Sequence, residues 1–453
     1  MGAAALDVVQ HPLAWVREQR GWSQQELMNR LARRLGVAAD RQQARRWEAG
    51  VEPRTDVQRA LAAELGVDVE DLKSRPWPLW LLPTGDDLLL RAPWTMEGLL
   101  SVLDRTAGGA DVDRRGFLAL LTGAAAGQLT RSWARAPHPG APTAAATADD
   151  GMVRDMLGSF EDRLALLRAR DDAVGGGRIW QLLDAELLGS RALLRSGECS
   201  GADQRRLLAL IGEQSRVAGW ASVDAGRLAA GEVYLVQALR AAHAAGDAAA
   251  GANVVKSLSL LVLEDGRTLE ALEMVQWARH VADSAPSRVQ AMLAVREARI
   301  RAAMRDTATQ ARLVAEAAGL MSRAEDEPED EVPAWARYFD HAEFAAQVAA
   351  GHLAAGQLLP AQERLEEGLL DQPGARHRDA LTYGLWAAEI SARRGDPEQA
   401  ASRLADLLPQ VANSASHRNR KRLGEVRALL KTPRSATLPQ VRALDEQARD
   451  LLA

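Results

Sequence analysis

The chain has 453 residues, 47% hydrophobic and 26% charged, enough for two or three domains with buried cores. A net charge of −5 excludes a protein that coats nucleic acid indiscriminately, and a single cysteine, Cys199, excludes an intrachain disulfide, so a cytoplasmic location is expected. No apolar run reaches the ~18 residues that span a bilayer, and "MGAAALDVVQHPLAW" lacks the pattern of a signal peptide, so no membrane partner is expected.

Arginine outnumbers lysine 52 to 4, a bias of composition, so only clustering carries information. Residues 11–59 hold 10 Arg against 6 Asp plus Glu, +4, which leaves −9 for the rest of the −5 total. A basic head therefore precedes an acidic body.

The head, residues 9–73, reads as five short helices. "LAWVREQRG" is a short amphipathic helix stopped by Gly21. In "SQQELMNRLARRLG", Ser23 and Glu26 have the spacing of a capping box, so a helix is predicted from Gln24 with Leu27 and Leu31 on its apolar face. "RQQARRWEAG" is predicted as a third helix, with Ala44 and Trp47 inward and Gly50 as its stop. "DVQRALAAELGVDVEDL" supplies two more, with Leu61, Leu65, Val67 and Leu72 in the core.

A Ser-Gln-x-Glu-Leu cap on the second helix and Trp-Glu-x-Gly at the end of the third resemble the Xre/Cro-type helix-turn-helix. The stretch "GVAAD" before the third helix is about two residues longer than the usual turn. That resemblance implies double-stranded DNA as partner, with the third helix in the major groove. By position in the motif, Arg41, Gln42, Gln43 and Arg46 would meet bases, and Gln24 and Arg54 would meet phosphates. The chemistry suits those places, since Gln matches adenine N6/N7 and Arg matches guanine O6/N7.

Residues 74–149 read as a Trp- and Pro-rich connector ending in the linker "APHPGAPTAAATADDG". Within it "DRRGFLALLTGAAAGQLTRSWARAP" has the look of a twin-arginine export signal, with Arg114 and Arg115 paired. Its internal position favours a short buried helix that docks the head or linker on the helical body.

Residues 150–453 are predicted helical throughout, with turns at Gly226, Gly266, Asp306, Gly356 and Gly395, spaced by 40, 40, 50 and 39. The acidic insertion "AEDEPEDEVP" accounts for the long step. Small residues follow five positions after each turn (Gly231, Ala271, Ala311, Ala361, Ala400) and again seven later (Ala238, Ala278, Ala318, Gly368). The pattern resembles tetratricopeptide repeats over about 210–412, a C-terminal α-solenoid, so the expected fold is all-α.

The first helix of each pair in such arrays lines a concave groove. Counting back from the turns, Arg216, Trp220, Asn253, Lys256, Leu260, Arg296 and Glu389 are the candidates to face it, with an unknown peptide, metabolite or protein as ligand. No catalytic constellation is present: there is no HExxH or Cys-His grouping, and "DDAVGGGR" is not a phosphate loop, so no enzyme, metal or cofactor is expected. The whole architecture resembles transcription regulators of high-GC Gram-positive bacteria. A homodimer is expected. The alternative reading is a repeat scaffold with a non-DNA-binding head, possibly membrane-associated.

Overall fold

The structure is a computed structural model. It describes residues 22–36, 40–48, 51–65, 92–105, 125–137, 150–174, 179–199, 201–370 and 377–452, with short pieces at 13–14, 17, 72, 77–81, 89–90 and 177. Arg114, Arg115 and the apolar run to 124, the 138–149 linker, and the predicted helix stops at Gly21 and Gly50 lie outside these residues. Among the described residues the chain is all helix and turn, with no strand. It divides into two units, 1–91 with 113–125 and 92–112 with 126–453.

In the first unit three helices are complete: α1 (Gln24–Leu35), α2 (Arg41–Glu48) and α3 (Thr55–Leu65). α1 starts where Ser23 accepts the Glu26 N–H (3.1 Å), satisfying one donor that the first turn leaves free. Glu26, expected to reach back to the cap, accepts from Arg30 instead (3.3 Å). The helix stops at Gly36, whose φ of 67° is open to glycine and whose N–H bonds Ala32 O. Leu13, Leu27, Leu31, Ala44, Trp47, Leu61 and Leu65 form one core, and Trp80 and Leu81 belong to it as well. The segment read as a connector thus splits, its first tryptophans packing into this unit.

The second unit opens with α4 (Met96–Arg105) and α5 (Ala125–Arg135), then runs through fourteen helices. They are α6 (Asp150–Val174), α7 (Ile179–Ser196), α8 (Gly201–Asp224), α9 (Leu228–Ala245), α10 (Ala248–Glu264), α11 (Thr268–Val281) and α12 (Ser287–Ala303). They continue as α13 (Thr307–Glu325), α14 (His341–Ala355), α15 (Leu358–Leu370), α16 (His377–Arg393), α17 (Pro397–Asn413), α18 (His417–Leu429) and α19 (Pro439–Leu452). From α6 to α17, each even-numbered helix packs on the odd-numbered one that comes after it.

Five of the turns inside these pairs carry a residue in the left-handed region: Gly226, Gly266, Arg305, Gly356 and Gly395. The first two and the last two were expected; in the third pair of that series the left-handed residue is Arg305, one place before the predicted Asp306. The small-residue register moves with it. Ala311 and Ala318 are exposed, and the buried positions are Gln310 and Ala317, which stand five and twelve residues after Arg305. Asp306 instead caps α13, accepting the Thr309 N–H, and the Arg305 guanidinium bonds the Ala355 carbonyl. A polar Asp at that place caps a helix better than it adopts φ > 0, so the turn shifts by one residue. At Gly231 the paired helices approach closely: an added Cβ would lie 2.5 Å from Val223 Cγ2 and 2.9 Å from the Gly219 carbonyl.

α4 and α5 strap this unit. Leu99 and Leu103 enter the core of α6 to α8, while Arg240, 2% exposed, bonds the Ala92 carbonyl (2.8 Å) and stacks on Trp94. The Gly127 N–H donates to Glu270 (2.9 Å), Arg131 pairs with Glu273 (2.5 Å), and Trp133 fills the space that Gly251 leaves open. The part of "DRRGFLALLTGAAAGQLTRSWARAP" that is described therefore docks on α10 and α11. No helix among the described residues is long and apolar enough to cross a membrane.

The even-numbered helices also meet each other, α10 on α12, α12 on α14, and, closing the series, α6 on α16 and α8 on α18. Arg378 of α16 pairs with Asp171 and Asp172 of α6, and Ser416 donates to Asp224 of α8 (2.6 Å).

Candidate functional site

In the first unit, α2 separates two faces. Ala44 (0% exposed) and Trp47 (7%) are buried, and Arg41, Gln42, Gln43, Arg45 and Arg46 are exposed. Three- and four-residue spacing produces this split, because apolar residues one turn apart share a face and everything between them is turned outward. Asp40 accepts the Gln42 N–H (2.9 Å), which fixes where the helix begins. Trp47 is a core residue and is unavailable as a stacking platform.

Glu48 explains the other half of the Trp-Glu pair. It accepts from Arg17 Nε (2.6 Å) and from the Gln24 amide (2.6 Å), joining the end of α2 to the start of α1. Gln24 in turn lies 3.5 Å from Arg41 Nε. Its side-chain amide is thus used inside the unit, and a phosphate at this helix start would meet backbone N–H groups, where the helix dipole favours it. Arg54 reaches outward: its side chain is 85% exposed and, among the described residues, pairs with Asp56 (3.2 Å).

In the second unit the seven candidates for the groove all fall on even-numbered helices, as expected, but five of them are buried and Arg216 and Trp220 are half-buried, so they do not line an open surface. Asn253 is 3% exposed, Lys256 8%, Leu260 5%, Arg296 8% and Glu389 3%. An open concave face leaves such side chains in water; here the meeting of α6 with α16 and α8 with α18 encloses them.

They form two groups. Trp220 and Glu389 belong to one: Trp220 donates to Ser257 (3.1 Å) and lies under Arg418, and Glu389 pairs with Arg422 and Arg393 (2.8 Å each). Arg216, Lys256 and Arg296 belong to the other, gathered around Tyr338, Glu343 and Tyr383. Asn253 and Leu260 stand one turn to either side of Lys256 on α10. Arg216 is held by Glu213 through two bonds (2.7 and 2.6 Å), and Arg168 bonds the same carboxylate. Lys256 donates to the Tyr338 hydroxyl (3.2 Å).

Burial, with Arg296 and Arg216 close by, drives Lys256 well below its ordinary value. Burial and Arg299 push Arg296 down to about 9, which leaves it charged at neutral pH. Glu343, whose carboxylate accepts from Tyr383 and Gln347, is pushed up to about 7 by burial and by Asp379. Because Glu343 binds its proton more tightly folded than unfolded, its contribution to stability is largest at acid pH and is lost as pH rises from about 4.5 to 7. Glu343→Gln is accordingly expected to raise the unfolding free energy at pH 8 by about 1–3 kcal/mol and to flatten its pH dependence between 5 and 8. Chemical denaturation of both proteins at several pH values measures it; a variant less stable at pH 8 contradicts the assignment.

Tyr338, Glu343 and Tyr383 were not singled out from the sequence. One signal was there: the chain has only three tyrosines, and the hydroxyls of Tyr234, Tyr338 and Tyr383 all meet buried polar groups, Asp184, Lys256 and Glu343. No family model matches the chain, and no curated protein matches it.

Proposed function

We propose that the protein is a sequence-specific, dimeric DNA-binding transcription regulator whose helical repeats bind a ligand that modulates DNA binding. The observation that carries this reading is the α2 face. A short helix whose apolar residues are buried presents two adjacent glutamines and flanking arginines, and it follows a helix whose start is capped and whose end is a left-handed glycine. In this reading α1 and α2 are the two helices of an Xre-type helix-turn-helix, and α6 to α19 are tetratricopeptide-like pairs.

Arg41, Gln42, Gln43 and Arg46 read base edges, and Arg54 with the start of α1 holds phosphates. One such head reads only a few base pairs, so useful affinity needs two heads on half-sites about one helical turn apart. Selection of bound duplexes from a random pool by the full-length protein tests this. Enrichment of a two-fold-related sequence, bound by a species of twice the chain mass in light scattering, is expected. A pool that stays random after repeated rounds contradicts DNA readout, and a monomer on the selected duplex contradicts the dimer.

A further inference from the structure

We propose that the enclosed polar interior between α10, α12 and α14 is a binding site for the oxyanion group, carboxylate or phosphate, of a small ligand, held by Lys256 and Arg296 with the Tyr338 hydroxyl. This deepens the ligand half of the proposed function and does not depend on the DNA half.

The charge balance of the interior points to it. Several buried cations of this unit have carboxylates: Glu213 serves Arg168 and Arg216, and Asp171 with Asp172 serves Arg378, while Arg240 has backbone carbonyls and the Trp94 ring. Lys256 and Arg296, each 8% exposed, lie close enough to repel one another, and neither has a carboxylate within ion-pair distance among the described residues. Arg296 Nε and Nη1 have no hydrogen-bond partner there. The carboxylate that acts on both is Glu343, and its oxygens are already used by Tyr383 and Gln347. A buried guanidinium with donors unmet, beside a buried lysine, is costly unless an anion joins them.

Tyr338 is the accessible member of this group. The acidic insertion brings Tyr338 down from the α13–α14 connection, where Arg216, Arg296, Glu343 and Asp379 on four different helices all act on its hydroxyl, yet 38% of its surface stays accessible. Because Lys256 donates to the Tyr338 oxygen, the hydroxyl proton is free to point at a ligand. A guanidinium presents planar paired donors that match carboxylate and phosphate, and the lysine adds a point charge. Asn253 stands one turn before Lys256 on α10.

The test uses the full-length protein and two probes, inorganic phosphate and acetate, against chloride at matched ionic strength. Thermal unfolding and calorimetric titration are followed for the wild type, Lys256→Met, Arg296→Gln and the exterior control Arg364→Gln. The expected result is saturable one-to-one binding of phosphate, acetate or both, with the tighter probe identifying the group. Affinity is expected to fall at least tenfold in Lys256→Met and in Arg296→Gln and to be unchanged in the control. Without anion, both interior variants are expected to unfold at the wild-type temperature or above it, since each removes an uncompensated buried charge. No saturable binding of either probe, or equal binding by all four proteins, overturns the site. Either failure leaves sequence-selective DNA binding, measured separately, untouched.

Discussion

Arg378→Ala is expected to lower the unfolding free energy of the chain by about 3–5 kcal/mol. Arg378 stands on α16 and bonds Asp171 and Asp172 of α6, about 200 residues earlier in the sequence. Asp171 is 6% exposed, and burial already pushes its carboxyl up while Arg378 opposes the shift. Although burial also works against the guanidinium, the surrounding Asp171, Asp379, Asp224 and Asp172 hold it charged. Removing the arginine leaves the buried Asp171 carboxylate without its ion-pair partner, which costs far more than losing an exposed ion pair. The penalty is expected to shrink as pH is lowered, because a protonated Asp171 no longer needs a partner. Denaturant unfolding at pH 8 and pH 5 checks both statements. A loss under 1 kcal/mol at pH 8, or one independent of pH, shows that this pair does not close the α6–α16 contact.

Gln42→Ala is expected to relax base preference at one position of each half-site, with a loss of about 1–3 kcal/mol against the preferred base. Gln42 is exposed, and among the described residues its side chain makes no hydrogen bond, while its backbone N–H donates to Asp40. The variant therefore keeps the head core of Leu27, Leu31, Trp47 and Leu61 unchanged, and lost preference reads as lost contact. Arg54→Ala is expected to behave differently, weakening all duplexes alike and reducing the steepness of the salt dependence, because a phosphate contact carries no sequence information. Competition binding against duplexes altered one base pair at a time separates the two patterns. Uniform loss in Gln42→Ala assigns that residue to the backbone and removes direct readout at its position.

The helices of the head were legible because their signals are local. Ser23 caps α1, Gly36 ends it in the left-handed region, and Ala44 with Trp47 sets the inward face of α2. The roles of Glu48 and Gln24 were not, since the bonds joining them to each other and to Arg17 link residues 24 and 31 apart in sequence. In the second unit the turn period was readable from glycines, and the register slipped only where a non-glycine, Arg305, takes the left-handed position. The interior residues on the even-numbered helices were found by counting back from turns, but their enclosure was not. It depends on Arg378 meeting Asp171 and on Ser416 meeting Asp224, and no periodicity encodes a contact between the ends of a series. Tyr338 was missed for a related reason: it follows an acidic insertion that reads as solvent-exposed, and only the fold carries it inward.

Whether the α2 face reads DNA sequence is decided by equilibrium binding of the full-length protein to its selected duplex and to a scrambled duplex of equal length. The titrations are run at about 50 and 200 mM salt, the range over which phosphate contacts lose affinity steeply. A preference of at least about a thousandfold for the selected duplex is expected, with both affinities falling as salt rises. Equal affinity for the two duplexes, or no binding to either at the lower salt, contradicts sequence readout by this face.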